Sequence, residues 1–150
     1  MILIDAAATE AAGRHLAAVV RAGDVIALFG DLGAGKTTLA RGLLAALGLE
    51  GEAPSPTFAI VQPYGSPEVR LPVAHVDLYR IDGPEDVREL GLDEYRVDGV
   101  LLIEWPERMG AALWPDAVRI RIGPTPDGQR RLTADLPPSW EQRWPFPHPT

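Results

Sequence analysis

The segment with the most specific chemistry is residues 30–37, Gly-Asp-Leu-Gly-Ala-Gly-Lys-Thr, which fits the pattern G-x-x-x-x-G-K-[ST] of phosphate-binding loops. Its glycines at 30, 33 and 35 allow backbone conformations that side chains hinder, so amide N–H groups can close on a phosphate. A helix beginning near Lys36 directs its positive end at the same anion. The Lys36 ammonium can reach the outer phosphates, and the Thr37 hydroxyl can ligate Mg²⁺. The alternative is a glycine-rich turn between a strand and a helix, without a ligand.

The choice of lysine inside this loop favours the phosphate-binding interpretation. Lys36 is the only lysine of the chain, because 13 of its 14 basic residues are arginines. A compact ammonium fits inside such a loop, whereas a planar guanidinium does not. We therefore predict that Lys36 binds phosphate.

Two acidic residues follow apolar runs and are candidates for the metal and for the attacking water. Glu104 ends the run 100–103, Val-Leu-Leu-Ile, and Asp77 ends the less apolar run 73–76, Val-Ala-His-Val. Acids at the carboxyl ends of parallel strands face the crevice in which such sheets bind ligands. We expect one of them to hold Mg²⁺ through water and the other to orient the attacking water, although either could be a solvated acid at a strand end.

Other polar side chains near these segments are weaker candidates. A hydroxyl at Thr57 could sense a γ-phosphate as switch loops do, or could bond its own backbone in a turn. His75 precedes Asp77 by two residues and could touch the site if both lie on one face of the strand, but a packed or exposed histidine is the expected role. Four arginines could contact phosphate: Arg80, Arg108, Arg130 and Arg131.

The elements that must position these residues alternate between strands and helices. Strands are predicted at 1–4, 25–29, 58–61, 73–78, 100–103, 117–122 and 130–136. The turn-rich segment 63–67 is expected to join the strands at 58–61 and 73–78 into a hairpin. Helices are predicted at 9–20 with Thr9 as N-cap, at 36–47 before Gly48, and at 84–90. We predict an α/β domain over residues 1–136. The tail, residues 137–150, has five prolines and two tryptophans. It is expected to be flexible or loosely docked, with docking through Trp140 and Trp144 as the alternative.

Composition excludes several classes of protein. The 150 residues carry a net charge of −7 and no cysteine. The acidic balance argues against gripping nucleic acid by its backbone and against a polybasic membrane-surface protein. Disulfides, cysteine-based zinc sites and thiol nucleophiles are excluded. Without a signal peptide or a membrane span in the sequence, we expect a soluble cytoplasmic domain.

Several segments together resemble the TsaE family of bacterial tRNA threonylcarbamoyladenosine biosynthesis. They are the loop 30–38, Ser-Pro-Thr-Phe at 55–58, His-Val-Asp-Leu-Tyr-Arg at 75–80, Gly-Leu-Asp-Glu-Tyr at 91–95, and Ile-Glu-Trp-Pro-Glu-Arg at 103–108. The resemblance covers about residues 2–136. It implies a P-loop NTPase-type three-layer sandwich, with a mostly parallel central sheet, an antiparallel hairpin and C-terminal strands.

The same resemblance implies an activity and partners. The activity would be ATP hydrolysis with Mg²⁺, weak in isolation and switched on by the TsaD and TsaB proteins. That pair places a threonylcarbamoyl group on adenosine 37 of tRNA, and the TsaE member would reset the complex between turnovers, touching tRNA only through the complex. The alternatives are a small-molecule P-loop kinase, which would need a lid and an acceptor pocket, and a non-catalytic nucleotide-binding adaptor.

The resemblance also assigns roles to residues of this chain. Nucleotide contacts would come from Gly33, Ala34, Gly35, Lys36, Thr37 and Thr38, with Trp105 bordering the site and Thr9 near the adenine. Thr37, Glu104 and Asp77 would serve the metal, and Lys36, Glu104 and Asp77 would serve catalysis. The chain departs from the family where Gly128 is followed by Gln129 instead of arginine. Arg130 is then the expected substitute, with Arg131 as the alternative.

Overall fold

The apolar runs lie side by side at the centre of one sheet in the computed structural model, which describes residues 1–54, 56 and 60–147. The strands are β1 (Ile2–Leu3), β2 (Val25–Phe29), β3 (Val61–Tyr64), β4 (Val73–Asp77), β5 (Val100–Glu104), β6 (Val118–Pro124) and β7 (Arg130–Asp135). The helices are α1 (Ala6–Ala17), α2 (Lys36–Ala46), α3 (Pro84–Arg88) and α4 (Leu92–Tyr95). Two 3₁₀ segments follow, at Pro106–Ala112 and Pro138–Trp140.

The sheet has the order β1-β7-β6-β2-β5-β4-β3, and its four central strands are parallel. The outer pairs β1–β7, β6–β7 and β3–β4 are antiparallel. The central strands β2, β4 and β5 are buried almost throughout, as continuous apolar runs covered on both faces must be. The predicted α/β fold, with its antiparallel hairpin and C-terminal strands, is confirmed.

Helices cover both faces of the sheet and form three layers. One face packs against α1 and α2, and the other against α3, α4 and the segment Pro106–Ala112. The helices α1 and α2 cross so closely that only glycine fits at the contact. A Cβ at Gly42 would lie 2.0 Å from the carbonyl oxygen of Glu10, and one at Gly13 would lie 2.0 Å from that of Leu39. None of the helices in the described part of the chain is long and apolar enough to cross a bilayer.

Two predicted element boundaries are wrong. The N-cap of α1 is Asp5, whose carboxylate accepts from the amide of Ala8 at 2.8 Å, so the helix begins three residues before Thr9. The first hairpin strand is Val61–Tyr64 and includes Pro63, which the sequence assigned to the turn. Proline is accepted there because β3 is an edge strand. Thr57 and the beginning of the predicted strand 58–61 lie outside the described residues.

The tail is docked as far as Phe146, although the sequence made docking the less favoured alternative. Trp140 is 1% exposed, and Trp144 is also buried, in the cluster that contains α1 and α2. The Arg143 guanidinium donates to both carboxylate oxygens of Asp24, at 2.6 and 2.7 Å, and to the carbonyl of Val19 at 2.8 Å. It also stacks over the Trp140 ring, 4.1 Å from its centroid. The tail therefore completes the core beside α1.

Candidate functional site

The loop between β2 and α2 has the backbone conformations that its glycines allow. Gly33 and Gly35 have φ of 76° and 111°, and Gly35 is the N-cap of α2. The amide N–H groups of the first turn of a helix have no partner within the helix, so they are available to an anion at this end. The loop borders a cleft of about 200 Å³. The cleft is lined by residues 32–38, Asp77, Glu104, Trp105 and Arg130.

Lys36 lies at the base of this cleft and is only 4% exposed. Its Nζ donates to the carbonyl oxygen of Gly30 and lies 3.6 Å from the centroid of the Trp105 ring. Trp105 itself has a left-handed backbone, with φ of 59° and ψ of 48°, a conformation that costs energy for a large side chain. The sharp turn after β5 therefore places an aromatic face directly on the ammonium.

The charge of Lys36 is set by two opposing influences. Burial lowers the pKa of its ammonium from the ordinary value, because the charged form loses solvation. Nearby carboxylates act in the opposite direction and favour the charged form; they belong to Glu104, Glu107, Asp77 and Asp31. A lysine held among acids in this way is a cation that a bound anion would stabilise further.

Glu104 ends β5 beside the first turn of α2 and is nearly fully buried. The Thr37 hydroxyl lies 2.9 Å from Oε1 and 3.1 Å from Oε2 of this carboxylate. On the other side, Nε2 of His75 lies 2.7 Å from Oε2. The predicted pair Thr37 and Glu104 is thus brought together, and His75, for which contact with the site was the less favoured possibility, touches the same carboxylate.

Asp77 ends the neighbouring strand β4, directly opposite Glu104 in the parallel register. Its Oδ1 accepts from the amide of Tyr79 at 2.9 Å, and the side chain is buried at the edge of the cleft. The two acids therefore project from the same edge of the sheet, as the strand ends predict.

Of the other residues predicted to contact the nucleotide, Arg130 lies at the cleft and Thr9 lies in the core. Arg130, at the start of β7, donates from Nη2 to the carbonyl of Gly33 at 3.2 Å, whereas Arg131 pairs with Ile2 at the far edge of the sheet. Thr9 is fully buried, and its hydroxyl donates to the carbonyl of Asp5 at 3.1 Å. The structure therefore brings Arg130 to the loop and does not bring the Thr9 side chain into the cleft.

The chain that carries this arrangement also matches the model of a known family. The family model described as "Threonylcarbamoyl adenosine biosynthesis protein TsaE" matches residues 3–132. The chain belongs to the TsaE family. It is 44% identical over 126 residues to the tRNA threonylcarbamoyladenosine biosynthesis protein TsaE of Streptomyces coelicolor, a match that covers 81% of this chain and 85% of that relative. The protein of the same name from Bacillus subtilis is 39% identical, over 83% of this chain and 77% of the relative.

A solved member of similar shape supports the fold. A crystal structure of Bacillus subtilis YdiB superposes with a TM-score of 0.80 at 32% identity, covering 95% of this chain and 88% of that one. The expected family and its P-loop fold are both confirmed. The roles of the individual residues in this TsaE-family chain remain predictions.

The oxygen atoms of Thr37 and Glu104 in the cleft are of the kind that Mg²⁺ prefers. Mg²⁺ is usually bound by one or two carboxylates or hydroxyls together with substrate phosphates and water. Thr37 and Glu104 supply such oxygens within 3.1 Å of each other. Among the described residues there is no group of three or more His, Cys, Asp or Glu side chains that could hold a metal. Thr37 and Glu104 are therefore the residues here that could hold such a cation.

Sequence reasoning left one feature of the site less favoured and missed another. The contact of His75 with the site was the less favoured possibility, and it occurs because His75 and Asp77 share one face of β4. The stacking of Trp105 on Lys36 depends on a left-handed turn at a non-glycine residue, and no sequence pattern predicts that turn.

Proposed function

We propose that this chain is a Mg²⁺-dependent ATPase that acts in tRNA threonylcarbamoyladenosine biosynthesis in the cytoplasm. Its hydrolysis would be slow in isolation and accelerated by the TsaD and TsaB proteins, which it would reset between turnovers. The observation that carries the proposal is the convergence of Lys36, Thr37, Glu104 and Asp77 on one cleft beside a phosphate-binding loop. The names of its relatives supply the pathway.

Binding would rest on the loop and on the lysine. The amide groups at the start of α2 and the Lys36 ammonium would receive the β- and γ-phosphates, and Arg130 lies on the loop where it could add a further positive charge. Lys36 would exchange its contact with the Gly30 carbonyl for the phosphates. Trp105 would border the nucleotide, and the buried Thr9 is left out of the proposed contacts.

Hydrolysis would rest on positioning and on charge. Thr37 and Glu104 would hold Mg²⁺, which when bound neutralises the negative charge on the β- and γ-phosphates. Asp77 would orient the attacking water, because its carboxylate projects from the next strand at the level of Glu104. Lys36 would stabilise the charge on the γ-phosphoryl group as the bond to the leaving group breaks.

The hairpin of β3 and β4 favours hydrolysis over a small-molecule kinase. These strands continue the sheet beyond β5, so the described residues on this side of the cleft form an edge of the sheet and not a helical acceptor pocket. Arg130 is the only arginine among the described residues that line the cleft. A kinase lid would need a cluster of arginines on a mobile segment.

The test is phosphate release from ATP and Mg²⁺, measured for the chain alone and with the TsaD–TsaB pair. We expect little turnover alone and a clear increase with the pair. No increase with the pair would refute activation by these partners. Phosphoryl transfer from ATP to a small acceptor that exceeds hydrolysis would favour the kinase instead.

A further inference from the structure

His75 is a fully buried imidazole with one polar neighbour. It is 0% exposed, its Nε2 lies 2.7 Å from Oε2 of Glu104, and its Nδ1 is buried with no hydrogen-bond partner among the described residues. A carboxylate oxygen accepts hydrogen bonds, so the contact at 2.7 Å places a proton on Nε2 of the ring. His75 therefore donates to the Glu104 carboxylate and fixes its orientation.

Packing alone does not explain a histidine at this position. His75 lies in the middle of β4, between apolar neighbours, opposite Leu102 on β5. Its strand neighbour on the same face is Val73, a member of the apolar cluster below α2. An apolar side chain would fill such a position without burying two ring nitrogens. The polar contact to Glu104 is what the imidazole adds.

Among the described residues the carboxylate of Glu104 has two hydrogen-bond partners, Thr37 and His75, and they are not equivalent. Thr37 uses the hydroxyl that the proposed function assigns to Mg²⁺, whereas His75 approaches from the interior of the sheet and is absent from the lining of the cleft. When a cation engages Thr37, the hydrogen bond from His75 is the contact that still orients Glu104. Partners behind a metal ligand commonly change metal affinity 10- to 100-fold.

We propose that His75 is a positioning residue, which aligns the Glu104 carboxylate for a divalent cation bound with the nucleotide. The proposal rests on the proposed function, since it assigns that cation to Thr37 and Glu104. It concerns the affinity for the cation and leaves the phosphate contacts of the loop unchanged.

The first test titrates Mg²⁺ into the complex of the chain with a non-hydrolysable ATP analogue, followed by calorimetry. The variants are His75→Leu, which cannot donate, and His75→Gln, whose amide can. Val73→Ala is the control, because it removes buried volume from the same face of β4 without touching Glu104. We expect His75→Leu to weaken Mg²⁺ binding by about 10- to 100-fold. His75→Gln should restore most of the affinity, Val73→Ala should match the unmodified chain, and metal-free nucleotide affinity should be unchanged in all of them.

The second test needs neither metal nor nucleotide. Long-range ¹H–¹⁵N correlation spectra of the imidazole should show a proton on Nε2, and a ring without a proton on Nε2 would overturn the proposal. So would Mg²⁺ affinity in His75→Leu equal to that of the unmodified chain. If His75→Leu fails to fold, His75→Gln decides: near-normal Mg²⁺ affinity supports the proposal, and a loss of tenfold or more overturns it.

The outcomes separate this proposal from the proposed function. If the chain binds the Mg²⁺–nucleotide complex but never hydrolyses ATP, even with the TsaD–TsaB pair, the ATPase assignment is wrong and the role of His75 is unaffected. If ATP hydrolysis has the same Mg²⁺ requirement in the unmodified chain and in His75→Leu, the ATPase assignment stands and the role proposed for His75 is wrong.

Discussion

The substitution Gly42→Ala tests the contact between α1 and α2, because propensity and packing predict opposite signs for it. Alanine is favoured over glycine inside a helix by about 1 kcal/mol, so a helix considered alone would gain stability. In the folded chain, however, the new Cβ would lie 2.0 Å from the carbonyl oxygen of Glu10 and 2.8 Å from its carbonyl carbon. Both atoms belong to the backbone of α1, which cannot rotate away as a flexible side chain would.

The magnitude follows from that distance. Ordinary contacts of a Cβ with other heavy atoms begin above 3.0 Å, so α1 and α2 must separate by about 1 Å at the contact. Overpacking costs about 1–3 kcal/mol, and a clash with rigid backbone falls in the upper part of that range, about 2–3 kcal/mol, which exceeds the gain of about 1 kcal/mol in propensity. We expect a net loss of about 1–2 kcal/mol in the free energy of unfolding and a fall in Tm of roughly 2–8 °C. Nucleotide affinity should fall as well, because α2 carries the phosphate-binding loop at its N-terminus.

The measurement is urea unfolding, followed by circular dichroism, together with a thermal melt. Gly123→Ala is the control, since nothing lies within 4 Å of its Cβ position and its backbone is not left-handed. Its stability should stay within about 0.5 kcal/mol of the unmodified chain. A Gly42→Ala variant as stable as the unmodified chain, or more stable, would refute the close helix contact.

Four further predictions concern the site and the core. Lys36→Ala should abolish nucleotide binding. Glu104→Ala should keep some binding but lose about 10²–10³-fold in the rate of hydrolysis. Unchanged turnover in Glu104→Ala would contradict the assignment of Glu104 to the metal. Trp140→Ala should cost about 3–5 kcal/mol of unfolding free energy in urea, whereas a small loss would mean a loosely held tail. Burial and the charge of Glu68 raise the pKa of Tyr64, so the folded chain keeps the phenol protonated where the unfolded chain ionises it. Stability should therefore fall as the pH rises above about 10, and Tyr64→Phe should flatten that fall in unfolding curves measured across this range.

The parts of the fold that sequence predicts well are those in which local pattern and tertiary burial agree. The apolar runs that became β2 and β5 have no polar alternation, and both are buried on two faces. Because these strands run in a common direction, the loop after β2 and the strand-end acids Asp77 and Glu104 all lie at one edge of the sheet. Each of these predictions depends on a short stretch of chain and on one general rule of sheet geometry.

The errors arise where the outcome depends on partners distant in sequence. Asp5 and Thr9 are both acceptable N-caps, and the choice between them depends on where α1 meets the sheet. The proline-rich tail resembles a loose terminus by composition, but Trp140 finds a pocket beside α1, and Arg143 finds Asp24 more than a hundred residues earlier in the chain. Composition contains no information about such pairings.

The acidic surroundings of Lys36 account for the dependence on a cation that we propose. Four carboxylates act on this ammonium, and two of them, Glu104 and Asp77, are almost fully buried beside the cleft. A polyphosphate entering alone would meet these negative charges at close range, where interactions are screened far less than in water. A nucleotide that carries Mg²⁺ brings positive charge to the carboxylates and negative charge to the loop amides and Lys36. If the proposed function holds, the same buried acids repel a free nucleotide and favour its magnesium complex, and a chain of net charge −7 with a single lysine can then hold the phosphates.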